Sequence, residues 1–280
     1  LLIHMNSLKI YCISTNPSHL SIIKKLNYLP VGLGDSLFSK EWITDAKDKN
    51  ISKKNEFYGE YTFHYWMWKN HIKNLSNGWI GFCQYRKFWS LENLNNSNIS
   101  FEIFQNSILK EIPSSYEKYE TIVGEELFIN QFRLSKFIKN NLKTMIKNPN
   151  LFFDKGKRNI RFHFDMMHGK NNLYKAIELL DISDRSDFRE FVNKNTSFNP
   201  HNMFICKSKE ILISYYESVF PWLERCEKIF GFKDLDTYGL KRIYAFLAER
   251  YMSYWFQKNT KIKTMPIIFK DISSYLSNKK

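Results

Sequence analysis

Long apolar runs are missing from this 280-residue chain: nowhere does an uncharged apolar stretch approach the ~18 residues that a membrane-spanning helix needs. The start, Leu1-Leu-Ile-His-Met-Asn-Ser-Leu-Lys, has only short apolar runs and no cleavage signature. The expectation is a cytoplasmic chain that touches a membrane at most peripherally, from its inner face. Paired cysteines are also missing, since Cys12, Cys83, Cys206 and Cys226 lie far apart with no Cys-x-x-Cys and no zinc-ligand spacing. Free thiols in a reducing compartment follow. The sequence has no Walker A motif, no Gly-x-Gly-x-x-Gly, no His-Glu-x-x-His and no Gly-x-Ser-x-Gly. P-loop, dehydrogenase, zincin and hydrolase readings therefore lose their main support.

What is present is a basic, aromatic-rich composition. The 43% hydrophobic content is that of a folded protein, read as one domain over residues 1–280. With Phe (24), Tyr (16) and Trp (7), some rings are expected to line a concave surface, sugar binding being one common use, while core packing is the plainer role for any single ring. The formal charge of +14 favours an anionic partner: a nucleic acid, an acidic membrane face or a phosphorylated substrate. The basic residues are scattered and Lys-rich, with no RNA-recognition signature, zinc finger or arginine-rich tract, so no nucleic acid partner is expected.

Along the chain, Leu8 to Ile13 reads as a strand followed by the polar loop Ser14-Thr15-Asn16-Pro17, a natural place for a nucleotide. Residues 18–26 read as a short helix and 28–34 as an extended segment ending in a turn. A charged loop over 45–56 precedes a helix in which Phe57, Tyr61, Tyr65, Trp68, Ile72 and Leu75 form one apolar stripe, with Ser52 or Asn55 as the cap. Glu60 and His64 share a face off that stripe, with Lys69 and Asn70 near its end. After Ser76-Asn77-Gly78, residues 79–83 read as a buried parallel strand whose carboxyl end carries Gln84, Tyr85, Arg86 and Lys87. In open α/β sheets that edge faces the ligand, so Arg86 is placed to meet a phosphate; a solvated basic turn is the plainer alternative.

Residues 120–123 read as a further strand, and Asn199 to Cys206 as a polar loop entering a short apolar strand. Helices are expected over 128–146, 172–180, 211–229 and 236–256, the first a basic surface helix or a peripheral membrane contact. His163 and Asp165 would share one face of a strand, with His168 just beyond; this is the best acid/base cluster, against a buried pair with no catalytic duty. Asp234-Leu-Asp236 has the spacing of a Mn²⁺ or Mg²⁺ site, but its position between helix-like segments suits a helix cap for Asp236 better. No metal ligand is assigned.

Taken in order, Asn50-Ile-Ser52-Lys-Lys54-Asn55, Glu60-Tyr-Thr62, Tyr65-Trp66-Met-Trp68-Lys69-Asn70, Gly81-Phe-Cys-Gln84-Tyr85-Arg86-Lys87, His168, Asn202-Met203-Phe204-Ile205, and Arg242 through Glu249-Arg250 resemble a bacterial family. It is the polysaccharide-biosynthesis glycosyltransferase family long catalogued as a domain of unknown function in capsule and exopolysaccharide gene clusters. The resemblance implies a GT-A-like, Rossmann-like mixed α/β sheet flanked by helices, with a helical C-terminal part. It also implies transfer of a sugar from a nucleotide-sugar donor to a lipid-linked or glycan acceptor. On it rest donor contacts for Ser14, Asp48, Asn50, Lys54, Asn55, Gln84, Tyr85 and Arg86, and catalytic roles for Asp165 and His168. Glu60, Lys69, Asn70, Asn202, Arg242 and Glu249 are supporting residues. Two positions depart from the family pattern: Gln84 replaces a titratable His, and Lys87 replaces an Arg and its bidentate fork. The first departure keeps a non-catalytic glycan-binding or scaffold role open.

Overall fold

Strand β1 (Leu8–Ser14) alternates its side chains between two buried faces: Tyr11 and Ile13 enter one core, Ile10 and Cys12 the other. Strand β4 (Trp79–Gln84) does the same with Ile80 and Phe82 against Trp79 and Cys83. A sheet apolar on both faces has to be covered twice, and it is the middle of three layers. The computed structural model describes residues 7–94, 99–131, 155–233, 235 and 237–276.

Around that pair lie β2 (Leu29–Gly32), β3 (Ile43–Thr44), β5 (Lys87–Trp89), β6 (Thr121–Gly124), β9 (Phe204–Cys206), β10 (Ile262–Met265) and β11 (Ile267–Phe269). The sheet order is β10-β6-β9-β4-β1-β2-β3, with β5 and β11 paired at the side. All main strands are parallel except β9, which runs antiparallel between β4 and β6. A small separate pair joins β7 (Leu127–Phe128) to β8 (Ser197–Phe198). This is the mixed, helix-flanked α/β sheet expected from the sequence.

On one face pack α1 (Leu20–Lys25) and α4 (Phe101–Ser107). The other face carries α2 (Asn55–Tyr58), α3 (Tyr61–Trp66), α5 (Ile160–His168), α6 (Asn172–Ile177), α7 (Ile182–Lys194), α8 (Lys209–Phe230), α9 (Tyr238–Lys241) and α10 (Ile243–Asn259). The helix α10 is buried nearly all round, which makes it the centre of that layer. Among the described residues no helix is long and apolar enough to cross a membrane.

Three expectations are corrected. The helix foreseen from Phe57 onward is broken: Gly59, at φ 56°, separates α2 from α3, and a π-turn over Met67–His71 and a 3-10 turn over Ile72–Asn74 follow. Its cap is neither Ser52 nor Asn55; the Asn50 side chain accepts from the Ser52 backbone N–H at 3.1 Å and starts the preceding turn. His163 and Asp165 lie on a helix, not a strand. Asn159 caps it through the Phe162 N–H at 2.9 Å, and the period-two pattern arises because α5 is buried along two stripes, Ile160/Phe164/His168 and Phe162/Met166. The helical C-terminal part is present in α8 and α10, and β10 and β11 follow it back into the sheet. The expected basic helix falls largely outside the described residues, as do Asp234 and Asp236.

Candidate active site

Parallel strands deliver their following loops to one edge of a sheet. The pairings Ile13 with Gln84 and Ser14 with Gly32 put the ends of β1, β2 and β4 level there. Because β9 runs the other way, it is the residues before it, His201 and Asn202, that reach the same edge. Both have left-handed backbone, at φ 80° and 52°, a conformation that costs a non-glycine residue roughly 1–3 kcal/mol and persists where the surroundings enforce it.

The enforcement is visible. The Gln84 side-chain amide donates to the His201 carbonyl at 3.1 Å, and the His201 N–H donates to Glu249 Oε1 at 2.6 Å. Asn202 Nδ2 bridges Glu60 Oε1 at 2.9 Å and the Ala245 carbonyl at 3.2 Å. Gln84 Nε2 also points at Glu60 Oε1, from 3.4 Å. Behind Glu249 lies Arg250, 2% exposed, which pairs with that carboxylate, donates to His163 Nδ1 at 3.1 Å and stacks on the Phe198 ring. Burial and the Arg250 charge push His163 down to about 3, and burial with Lys87 does the same to His201, so both imidazoles are neutral.

Cations gather in front. Burial lowers the Lys87 ammonium; Glu60 and Glu249 oppose that, while Arg86 and Arg242 add to it, so all five charges share one region. Among the described residues none of Arg86, Lys87 and Arg242 forms an ion pair. Arg86 lies over the Tyr85 ring and Arg242 over that of Tyr238.

A second polar group sits at the end of β1. The Ser14 hydroxyl and His19 Nδ1 are 2.8 Å apart, His19 Nε2 is 2.8 Å from the Ser273 hydroxyl, and Asn16 N–H donates to Ser14 Oγ at 3.0 Å. His19 packs against Tyr85, whose backbone is fixed by Ile13 and Ile272. Burial lowers the His19 imidazole, with Asp271 pulling the other way.

Of the residues expected from sequence, the fold brings together Ser14, Glu60, Gln84, Tyr85, Arg86, Asn202, Arg242 and Glu249. Others serve local structure. Asp48 has φ 54° and its carbonyl accepts from Asn50, Lys54 is paired with Glu227 at 2.7 Å, and Asn55 binds Gly59 and Thr62. Lys69 lies on the Trp68 ring and Asn70 braces the Lys49 and Trp66 carbonyls. His64 is fully buried, with Nδ1 at 2.7 Å from the Tyr216 hydroxyl.

Asp165 and His168 do not meet. Asp165 accepts from the Asn171 N–H and faces Arg161, whereas His168 is buried against Phe246 with Nδ1 at 3.0 Å from the Gly239 carbonyl. Burial raises Asp165 and lowers His168 well below the usual range.

His19, His201 and Ser273 join the edge expected from sequence for Gln84, Tyr85, Arg86 and Lys87, and no local pattern marks them for it. Asp45, just past β3, carries no sequence signal; it is buried close to Thr62, and its Oδ2 has no partner among the described residues. Among the described residues no three His, Cys, Asp or Glu side chains converge as metal ligands.

The apo structure of WbbM, a bifunctional glycosyltransferase, is similar in fold: TM-score 0.58 at 20% identity, covering 95% of this chain. The likeness spans 45% of that protein's chain, so less than half of it corresponds to the sequence described. No curated protein matches. A family model, the Domain of unknown function DUF4422, matches residues 9–260. That match runs from the second residue of β1 to the end of α10 and takes in nearly all of the polar edge, and the chain belongs to the DUF4422 family.

Proposed function

We propose that the chain is a glycosyltransferase that moves a sugar from a nucleotide-sugar donor to a growing cell-surface polysaccharide. The observation that carries this reading is the group of three cations, Arg86, Lys87 and Arg242, without ion-pair partners among the described residues, at the carboxyl edge. A donor diphosphate supplies the missing negative charge, and the guanidinium groups offer planar forks that fit its oxygens. Ser14, Asn16, His19 and Tyr85, next to that charge, suit the nucleoside. The Asp48–Asn55 loop is too engaged in its own turns to be a main donor contact, and we assign it to framing the entrance. His168 acts on the edge through the Arg250 charge, whereas Asp165 accepts from the Asn171 N–H and faces Arg161, so we assign His168 to holding the His201 turn in place and Asp165 to bracing α5 against the turn that follows it.

The acceptor is glycan or lipid-linked and is met at the inner membrane face, where a chain of formal charge +14 is attracted to anionic lipid. Isothermal titration of UDP-, GDP- and CMP-sugars into wild type and Arg86→Ala, with and without Mg²⁺ or Mn²⁺, tests the reading. One donor should bind wild type and bind the variant at least tenfold more weakly; no binding to either protein overturns it. A glycan-binding protein without transfer, the reading that Gln84 keeps alive, would bind glycan and release no nucleotide.

A further inference from the structure

A transferase of this kind has to remove a proton from the acceptor hydroxyl, and the edge holds few groups able to take it. Glu249 uses both oxygens, one for the His201 N–H and one for Arg250. Both nitrogens of His19 face serine hydroxyls. His201 is a poor proton acceptor, since burial and Lys87 depress it to about 3. Asp271 accepts from the Ser273 N–H at 2.9 Å and closes its own turn.

Glu60 is different. Its Oε1 is held by two carboxamides, Asn202 at 2.9 Å and Gln84 at 3.4 Å. Neither donor titrates at any physiological pH, so the grip on Oε1 does not change as the proton moves. Oε2 has no partner among the described residues and is not sealed in the core, because the residue is half-buried and this oxygen is not among the buried unpartnered atoms. The Asn202 that fixes it is 5% exposed and set by a left-handed backbone, with its own Oδ1 buried and unpartnered among the described residues. Glu60 is thus a carboxylate with one oxygen fixed and one free, beside the three cations.

Resting on the donor site proposed above, we infer that Glu60 is the general base of a single-displacement sugar transfer. The acceptor oxygen forms a bond to the anomeric carbon as the bond from that carbon to the diphosphate oxygen breaks. The hydroxyl proton passes to Glu60 Oε2, and the electron pair leaves with the diphosphate, against Arg86, Lys87 and Arg242. One displacement inverts the anomeric centre.

The test uses Glu60→Gln, which keeps the shape and an oxygen for Asn202 but removes the basicity. The UDP-, GDP- and CMP-sugar panel is presented with water or simple alkyl glycosides as acceptors. Donor affinity should stay within about threefold of wild type while nucleotide release falls by on the order of 10²–10⁴-fold, the span of general base catalysis. The glycoside product should show inverted configuration by proton NMR. Release by Glu60→Gln within threefold of wild type, a retained configuration, or binding by wild type with no release from any donor overturns the inference and leaves the donor site standing. A wild type that binds no donor overturns both. If Glu60→Gln does not fold, Glu60→Asp carries the test: bound donor with at least tenfold slower release supports the base, and an unchanged rate overturns it.

Discussion

Replacing Arg250 by Met tests whether the ion pair behind the active site holds it together. Arg250 is 2% exposed and lies over Phe198 at 4.3 Å, and the side chain of Glu249 is 11% exposed. Methionine fills much of the volume and keeps the apolar contacts. What it removes is the paired positive charge, leaving Glu249 with the His201 N–H as its one hydrogen-bond donor among the described residues and with Lys87 acting on it only through space. A buried carboxylate that loses its paired partner costs about 3–5 kcal/mol. Its escape is to take a proton, which at pH 7 costs roughly 1.36 kcal/mol for each unit above the ordinary glutamate value of ~4.3, or about 3.7 kcal/mol. The two routes agree on a deficit of about 3–4 kcal/mol at pH 7, roughly 6–16 °C in melting temperature for a chain of this size.

The pH dependence has a definite sign. In the variant the folded carboxyl titrates above its unfolded value, so the deficit is full at high pH and shrinks as pH falls, to about 1 kcal/mol at pH 5. Urea unfolding followed by tryptophan fluorescence at pH 7 and pH 5 reads both numbers. Glu249→Gln with Arg250→Met should recover about 2 kcal/mol at pH 7, because the amide still accepts from His201 and carries no charge. A single variant within 1 kcal/mol of wild type at pH 7, or a deficit that does not shrink at pH 5, refutes the argument.

Two further outcomes are expected. Arg242→Ala should weaken donor binding by roughly tenfold in titration calorimetry, the worth of one charge-assisted contact, and change stability by less than about 0.5 kcal/mol, since Arg242 is half-buried and outside any ion pair among the described residues. Equal loss of stability and binding would show that it props the fold instead. Acid should destabilise the protein before its carboxylates titrate. His64 is held down to about 3 by burial, so between the ordinary value of ~6.5 and that point the unfolded chain binds a proton the folded one refuses. Stability from this group is present above pH 6.5 and is lost by up to about 1.4 kcal/mol per unit as pH falls; a urea-unfolding midpoint that stays flat from pH 7 to 5 in wild type would contradict a neutral His64.

The parts of this fold legible in sequence are those set by local pattern. An unbroken apolar run from Trp79 to Cys83 gives a buried strand, and the polar residues that end it fall at its carboxyl edge because a strand has a direction. Glu60 stood out by lying off the apolar stripe. His64, on the same face four residues later, did not separate from it, since its partner Tyr216 is 152 residues away and nothing nearby marks it as core. Residues Ile160 to His168 misled for a related reason. Two buried stripes on one helix give every second position an apolar or buried residue, which is also what a strand gives, and only the packing of α10 and α9 against α5 decides between them.

The harder omission concerns direction. A reader of the sequence can place Gln84 at the edge because β4 follows its neighbours in parallel, but Asn202 precedes its strand and in a parallel sheet would sit at the opposite end. The antiparallel pairing of β9 with β4, Gly81 against Ile205 and Ile80 against Cys206, turns that loop around and brings it opposite Gln84. Two left-handed residues then fit because Gln84, Glu249 and the Ala245 carbonyl each take one of their polar groups. One reversed strand therefore converts a distant loop into the clamp on Glu60. The strain at His201 and Asn202 belongs to the same arrangement: a relaxed backbone there would withdraw the Asn202 amide and free the carboxylate to swing onto Lys87, where its charge would be spent on an ion pair instead of an acceptor proton.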